Sequence, residues 1–207
     1  MQPSFLIEQQ FKEKKIVGID EVGRGSLAGP VVACCVLLKQ NHNNCQKYDY
    51  YQQINDSKKI KPATRKILAN HLMQDMQFGL GIVDSLTIDR INILQATKMA
   101  MHLAYLDFCL KYRFEPDVLL VDGNFKPFSL PKQTILSIIK GDSKSLSIAS
   151  ASIIAKETRD EILTKYHQQF PMYHFNTNYG YLTLQHKLAI EKFALCPIHR
   201  QSFKIKI

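Results

Sequence analysis

Three short, apolar runs in this chain each close on a carboxylate. KKIVGID ends at Asp20, with Glu21 next, PDVLLVDGN reaches Asp122, and QTILSIIKGD reaches Asp142. Runs of this length, rich in Val, Ile and Leu, read as strands buried on both faces, which demands a sheet covered by helices. PVVACCVLL (residues 30–38) and FGLGIVDS (78–85) supply two more strands, and the Gly-rich segment EVGRGSLAG joins the first two into a strand, turn, strand unit. Strand ends in such a sheet lie together in space, and ligands collect there. Adjacent strand residues point to opposite faces, so one of Asp20 and Glu21 must aim inward and needs a partner.

Between the strands the spacing predicts helices. Pro62 suits a first helical position, and Ile67, Leu68, His71, Leu72 and Met76 recur at helical intervals, giving a helix over about 62–76. Residues 87–113 read as one long central helix with Ile91, Leu94, Met99, Ala100, Leu103, Leu106 and Leu110 on its apolar side. A third helix, rich in Ser, Ala and Ile, spans about 145–168, and a fourth stretch lies near 183–194. The polar, Asn- and Tyr-rich residues 40–55 read as a surface loop. The fold class is therefore α/β, a mixed five-stranded sheet flanked by helices, with a small helical C-terminal subdomain. We divide it into a catalytic domain over 1–168 and a subdomain over 169–207.

The 207 residues carry 27 Lys+Arg against 18 Asp+Glu, a formal net charge of +9, so polyanions are the first partners to consider. No run of apolar residues is long enough to span a bilayer, which predicts a soluble, cytoplasmic protein. Five cysteines without a C-x-x-C pattern read as reduced, mostly buried thiols. Residues 56–66 and 183–207 each carry five Lys/Arg and one acid. They hold most of the surplus.

Four carboxylates delivered to one place repel one another, and hard divalent cations such as Mg²⁺ or Mn²⁺ are the natural neutraliser. Asp122-Gly123 also suits an ordinary turn, and Asp142 a helix cap. Asp160, four residues after Lys156, reads as half of a surface ion pair. The Gly23-Arg24-Gly25 turn lets backbone N–H groups approach a phosphate or sugar beside a guanidinium, but it matches no dinucleotide or Walker motif. Ser129-Leu-Pro-Lys132 carries Pro131 and has no helix to hold it, which disfavours a Ser-Lys hydrolase. Ser145, Ser147, Ser150 and Ser152 suit either phosphate contact or close helix packing.

Taken together, GIDEVGRGSLAGPVVA (18–33), NDSKK (55–59), LLVDGN (119–124), KGDSKSLSIASASIIAKETRD (140–160), YGYLT (179–183) and PIHRQSF (197–203) resemble the type 2 ribonucleases H, ribonuclease HII. The resemblance spans residues 15–203 and implies a ribonuclease H-like fold. It implies that Asp20, Glu21, Asp122 and Asp142 hold two Mn²⁺ or Mg²⁺ ions for in-line hydrolysis, leaving 5′-phosphate and 3′-hydroxyl ends. Gly23, Arg24 and Gly25 would read a ribose 2′-hydroxyl, and Tyr181 would pack on the sugar at the DNA side of an RNA–DNA junction. Ser57, Lys58, Lys59 and Lys144 would hold phosphates. The implied substrates are RNA–DNA hybrids and duplex DNA containing single ribonucleotides, cut by a monomer without the longer tail that some members use on a sliding clamp. The GRG turn matches the HII branch rather than HIII. Two departures stand out: Asn178-Tyr179 where the family has His-Lys, and Ile60 where it has leucine. Another metal-dependent nuclease of the same fold, such as a junction resolvase, and a non-catalytic nucleic-acid-binding protein are the alternatives.

Overall fold

The computed structural model describes residues 2–11, 13–39 and 45–204. Five strands form one sheet: β1 (Ile16–Val22), β2 (Val31–Leu37), β3 (Gln77–Val83), β4 (Val118–Asp122) and β5 (Thr134–Ile138), in the order β3-β2-β1-β4-β5. β2 runs antiparallel to both β1 and β3, whereas β4 is parallel to β1 and to β5. The expected mixed α/β sheet is therefore present.

Alternation along β2 builds two cores. Val31, Ala33 and Cys35 face a cluster with Ala100, Ala104 and Phe108, while Val32, Cys34 and Val36 face one with Leu68, Leu72 and Ile153. Among the described residues the α-helices are α1 (Pro62–Asp75), α2 (Ser85–Ile91), α3 (Ile93–Tyr112), α4 (Leu146–Gln169), α5 (Phe175–Asn178) and α6 (Leu184–Phe193). α3 covers the first face, and α1 with α4 covers the second.

The single helix expected over 87–113 is instead two, broken at Asn92. That residue has φ 67°, which Asn tolerates, and its side chain caps α3 by accepting from the N–H groups of Leu94 and Gln95. The buried stripe of α3 also differs from the expected one. Ala96, Ala100, Ala104 and Phe108 face the sheet, while Leu94, Met99, Leu106 and Leu110 are exposed. The cause lies on β3, where a Cβ on Gly79 or Gly81 would collide with the backbone of α3 at Ala104, Phe108 and Ala100. The helix sits too close to the strand for anything larger than alanine opposite Gly81.

In the segment expected to be a surface loop, residues 40–44 lie outside those described, and Cys45–Gln53 forms short 3-10 turns kinked at Tyr48. Its Tyr48 and the following Ile54 are buried in the second core, so aromatic and aliphatic anchors make this segment part of the packing. Beyond α4, Tyr173, Phe175, Ala189, Cys196 and Ile198 form a third cluster with Leu163 and Ala28. Cys34, Cys35, Cys109 and Cys196 are free thiols. Among the described residues no helix is long and apolar enough to cross a membrane.

Candidate active site

The strand register brings the acids together. Ile19 of β1 pairs with Val121 of β4, so Asp20, still within β1, and Asp122, at the end of β4, come side by side. Asp20 points into the α4 face and is only 5% exposed, with its Oδ1 accepting from the Glu21 N–H at 2.8 Å and its carboxylate meeting the Ser152 hydroxyl. Burial, then the charges of Glu21 and Asp122, push its carboxyl well above the usual range. The Glu21 carboxyl rises to about 7, chiefly through burial and against the pull of Arg24, whose Nη1 stands 3.4 Å from Glu21 Oε1.

Asp122 is held by the turn that carries Asp142. Its Oδ1 accepts from the Gly141 N–H at 2.6 Å, at the start of a 3-10 turn over Gly141–Ser143. The half-buried Asp142 carboxyl is raised by burial first and then by Asp122 and Asp56, with Lys58 opposing. The NDSKK segment is therefore near enough for its charges to act on Asp142. Lys58 and Lys59 are exposed in a turn that Asp56 organises, its Oδ1 accepting from the Lys58 N–H at 3.0 Å. Ser57 is buried, with its hydroxyl 3.0 Å from that of Ser152, which lies near Asp20. Lys144 is exposed.

All four acids offer only oxygen, and Arg24 on Glu21 is the one cation within ion-pair distance of them among the described residues. Donor type and charge deficit together fit hard divalent cations. Among the described residues no three His, Cys, Asp or Glu side chains close on one point, so the acids form an open constellation.

The glycines of the adjacent turn differ. Gly23 has φ 97°, and a Cβ on it would strike Arg159 Nε. Gly25 has nothing within 4 Å of where its Cβ would stand. The Gly180 carbonyl accepts from the N–H groups of Leu27 (2.8 Å) and Ala28 (3.2 Å), which docks the tail turn on the first one and leaves Tyr181 38% exposed beside it.

These positions can be set against known proteins. The family model for Ribonuclease HII matches residues 17–206. The chain belongs to the ribonuclease HII family. A Ribonuclease HII of Syntrophus aciditrophicus is 46% identical over 192 residues, covering 92% of this chain and 84% of that protein. The ribonuclease HII bound to PCNA from Archaeoglobus fulgidus shares the fold, with a TM-score of 0.72 and 21% identity over 93% of this chain and 96% of that one. Bst-RNase HIII in complex with Mn²⁺ also aligns, with a TM-score of 0.65 and 21% identity over 82% of this chain and 59% of that one.

As a ribonuclease HII family member, the chain is an enzyme, and its departures from the family pattern have structural sequels. Asn178 turns inward, donating to Tyr173 O at 2.6 Å and accepting from the Gly180 N–H at 2.8 Å. The neighbouring Tyr179 ring lies under Lys156 Nζ at 4.5 Å, so an ammonium from α4 stands beside this turn. Ile60 packs on the second core. Asp160 is not a surface partner of Lys156. It is buried, meeting both Lys156 and Arg65, because α1 closes over this part of α4. Ser145, Ser147 and Ser150 are buried caps and packing groups, with Ser145 and Ser147 donating to Glu8. Sequence reasoning missed Arg159 and Arg200, and it offered Ser152 for phosphate contact or helix packing rather than for a place beside Asp20. Arg200 is fully buried, donating to Gly29 O and to Arg24 O at 3.0 Å, and so carries the GRG backbone.

Proposed function

We propose that the chain hydrolyses the RNA strand of RNA–DNA hybrids and nicks duplex DNA on the 5′ side of a lone ribonucleotide. The observation that carries this reading is the pairing of an acidic centre short of positive charge with a turn whose Gly25 faces open space. The fold does not require glycine at 25, whereas a sugar-phosphate backbone brought against the turn does. Asp20, Glu21, Asp122 and Asp142 would hold two Mn²⁺ or Mg²⁺ ions. Such ions, when bound, activate water and stabilise the leaving 3′ oxygen.

The remaining work falls to the chain's own groups. The Gly141 N–H fixes Asp122, the Glu21 N–H holds Asp20, and Arg24 sets its charge beside Glu21. The Gly23–Gly25 backbone reads the 2′-hydroxyl, the group that separates RNA from DNA. Tyr181 offers its ring to the neighbouring sugar, while Lys58, Lys59 and Lys144 take phosphates, with Ser57 at the base of their turn. We read the protein as a monomer, and free thiols suit a reducing cytoplasm. A binding protein without catalysis would gain nothing from acids facing phosphates.

The test is a labelled duplex with one ribonucleotide, beside an all-DNA control, with Mn²⁺ or Mg²⁺. Wild type should cut only the first. Asp122→Asn, which keeps an oxygen for the Gly141 N–H, should fold normally and lose at least about a hundredfold in turnover. Equal cutting of both duplexes, or near-normal turnover by the variant, would contradict the assignment.

A further inference from the structure

The GRG turn rests on a guanidinium that the catalytic assignments leave unused. Arg159 of α4 is fully buried. Its Nε donates to Pro30 O (2.8 Å), Nη1 to Tyr179 O (2.9 Å), and Nη2 to both Ser26 Oγ (2.6 Å) and Ala28 O (2.9 Å). Ser26 is fully buried as well, and its hydroxyl donates onward to Gly23 O at 3.0 Å. The same guanidinium lies 5.7 Å from the centre of the Tyr181 ring. Two turns distant in sequence therefore end on one side chain.

Packing alone does not call for arginine at this position. Ala155 and Leu163, one turn away on either side of the same helix face, are both fully buried. A leucine at 159 would continue that stripe but leave one hydroxyl and three carbonyls without their donor. Only a planar fork with several N–H groups reaches all of them together, and a lysine ammonium does not.

We propose that Arg159, acting through Ser26, is the positioning residue for ribonucleotide discrimination. It sets the separation between the Gly23–Gly25 backbone and the Tyr181 ring without touching substrate. This rests on the ribose-reading role given above to that turn. If the clamp loosens, the turn drifts from the 2′-hydroxyl while the acids on the strand ends stay in place. Substrate grip and preference should fall, with turnover of bound substrate largely kept.

The experiment measures kcat and KM on the one-ribonucleotide duplex, and cutting of the all-DNA duplex, for wild type, Ser26→Ala, Arg159→Lys and the double variant. Each single variant should lose about tenfold in ribonucleotide preference. The loss should appear mainly as a higher KM, with kcat within about threefold of wild type. The double variant should lose little more than either single, because both act through one hydrogen-bond chain. Unchanged preference in Ser26→Ala, a loss confined to kcat, or fully multiplicative effects would overturn the clamp. Should Arg159→Lys fail to fold, Ser26→Ala, which removes only one hydroxyl, decides. If wild type itself cuts the all-DNA duplex equally well, the ribose reading fails first, and the clamp's role falls with it.

Discussion

Gly23 and Gly25 flank one arginine, yet the chain needs them for different reasons. Gly23 is required from within, by its positive φ and by Arg159 beneath it, whereas among the described residues nothing lies within 4 Å of a Cβ on Gly25. Gly23→Ala should lower the melting temperature by several degrees, and Gly25→Ala should melt within about two degrees of wild type yet lose substrate affinity. Parallel thermal melts and binding measurements check this pair.

The tail turn carries a second residue-scale expectation. The Cys196 N–H donates to His199 Nδ1 (2.9 Å), so His199 presents Nε2–H to His186 Nε2 (2.9 Å), and His186 Nδ1–H reaches Tyr181 O (2.9 Å). Both rings are neutral in that chain. Burial, then His186, lowers the His199 pKa to about 4, against 6.5 for an ordinary histidine. Between those values the unfolded chain binds more protons, so this contribution is complete above about pH 6.5 and shrinks as pH falls toward 4. It amounts to about 2 kcal/mol between pH 7 and pH 5. Urea unfolding at both pH values should show a drop in wild type that is about that much smaller in His199→Gln. At this scale the acids were legible because each follows or sits late in an apolar run, although only Asp122 ends its strand: Asp20 and Glu21 lie within β1, and Asp142 lies in the turn after β5. Arg159 was legible too, had the spacing Ala155, Arg159, Leu163 been read as one buried face. The inward turn of Ser57, named for phosphates but buried against Ser152, was not, because sequence does not say which way a hydroxyl turns.

Among the elements, the sheet and α1 were readable from apolar runs and from Pro62, whereas the strand order and register were not, because they depend on which runs pair. α3 was misread because leucines were taken to mark the core. Its regular stripe is Ala96, Ala100, Ala104, which matches the glycines of β3 rather than the large side chains of the helix itself. Two small surfaces brought close make contact that neither element advertises alone. Gly81→Ala should destabilise the protein by about 2–3 kcal/mol, since its methyl would overlap Ala100 O and lie 2.6 Å from Ala104 N. A lower urea midpoint at unchanged slope is the expected result, and an unshifted midpoint would mean that α3 stands further off.

Across the whole molecule, α4 is the common reference for the site. From one end to the other it supports Gly18 of β1 through Ser147, Asp20 through Ser152, the GRG turn through Arg159 and the C-terminal cluster through Leu163. The charge surplus of +9 is distributed less simply than its positions in the sequence imply. Arg65 and Arg200, one from each basic segment, are internal, holding Glu157 and Asp160 in one case and backbone carbonyls in the other. The exposed lysines at 58, 59, 61 and 66 are left to meet a polyanion. Counting charges along a sequence cannot separate these duties, because both kinds of residue look alike until helices close over them. The central claim is that acids of β1, β4 and the turn before α4 direct water at a phosphodiester beside a ribose that is read but does not react. Mapping the cut in a one-ribonucleotide duplex tests this most directly. A nick on the 5′ side of the ribonucleotide with 5′-phosphate and 3′-hydroxyl ends is the predicted result, whereas a nick on its 3′ side bearing a 2′,3′-cyclic phosphate would show the ribose itself attacking and contradict the account.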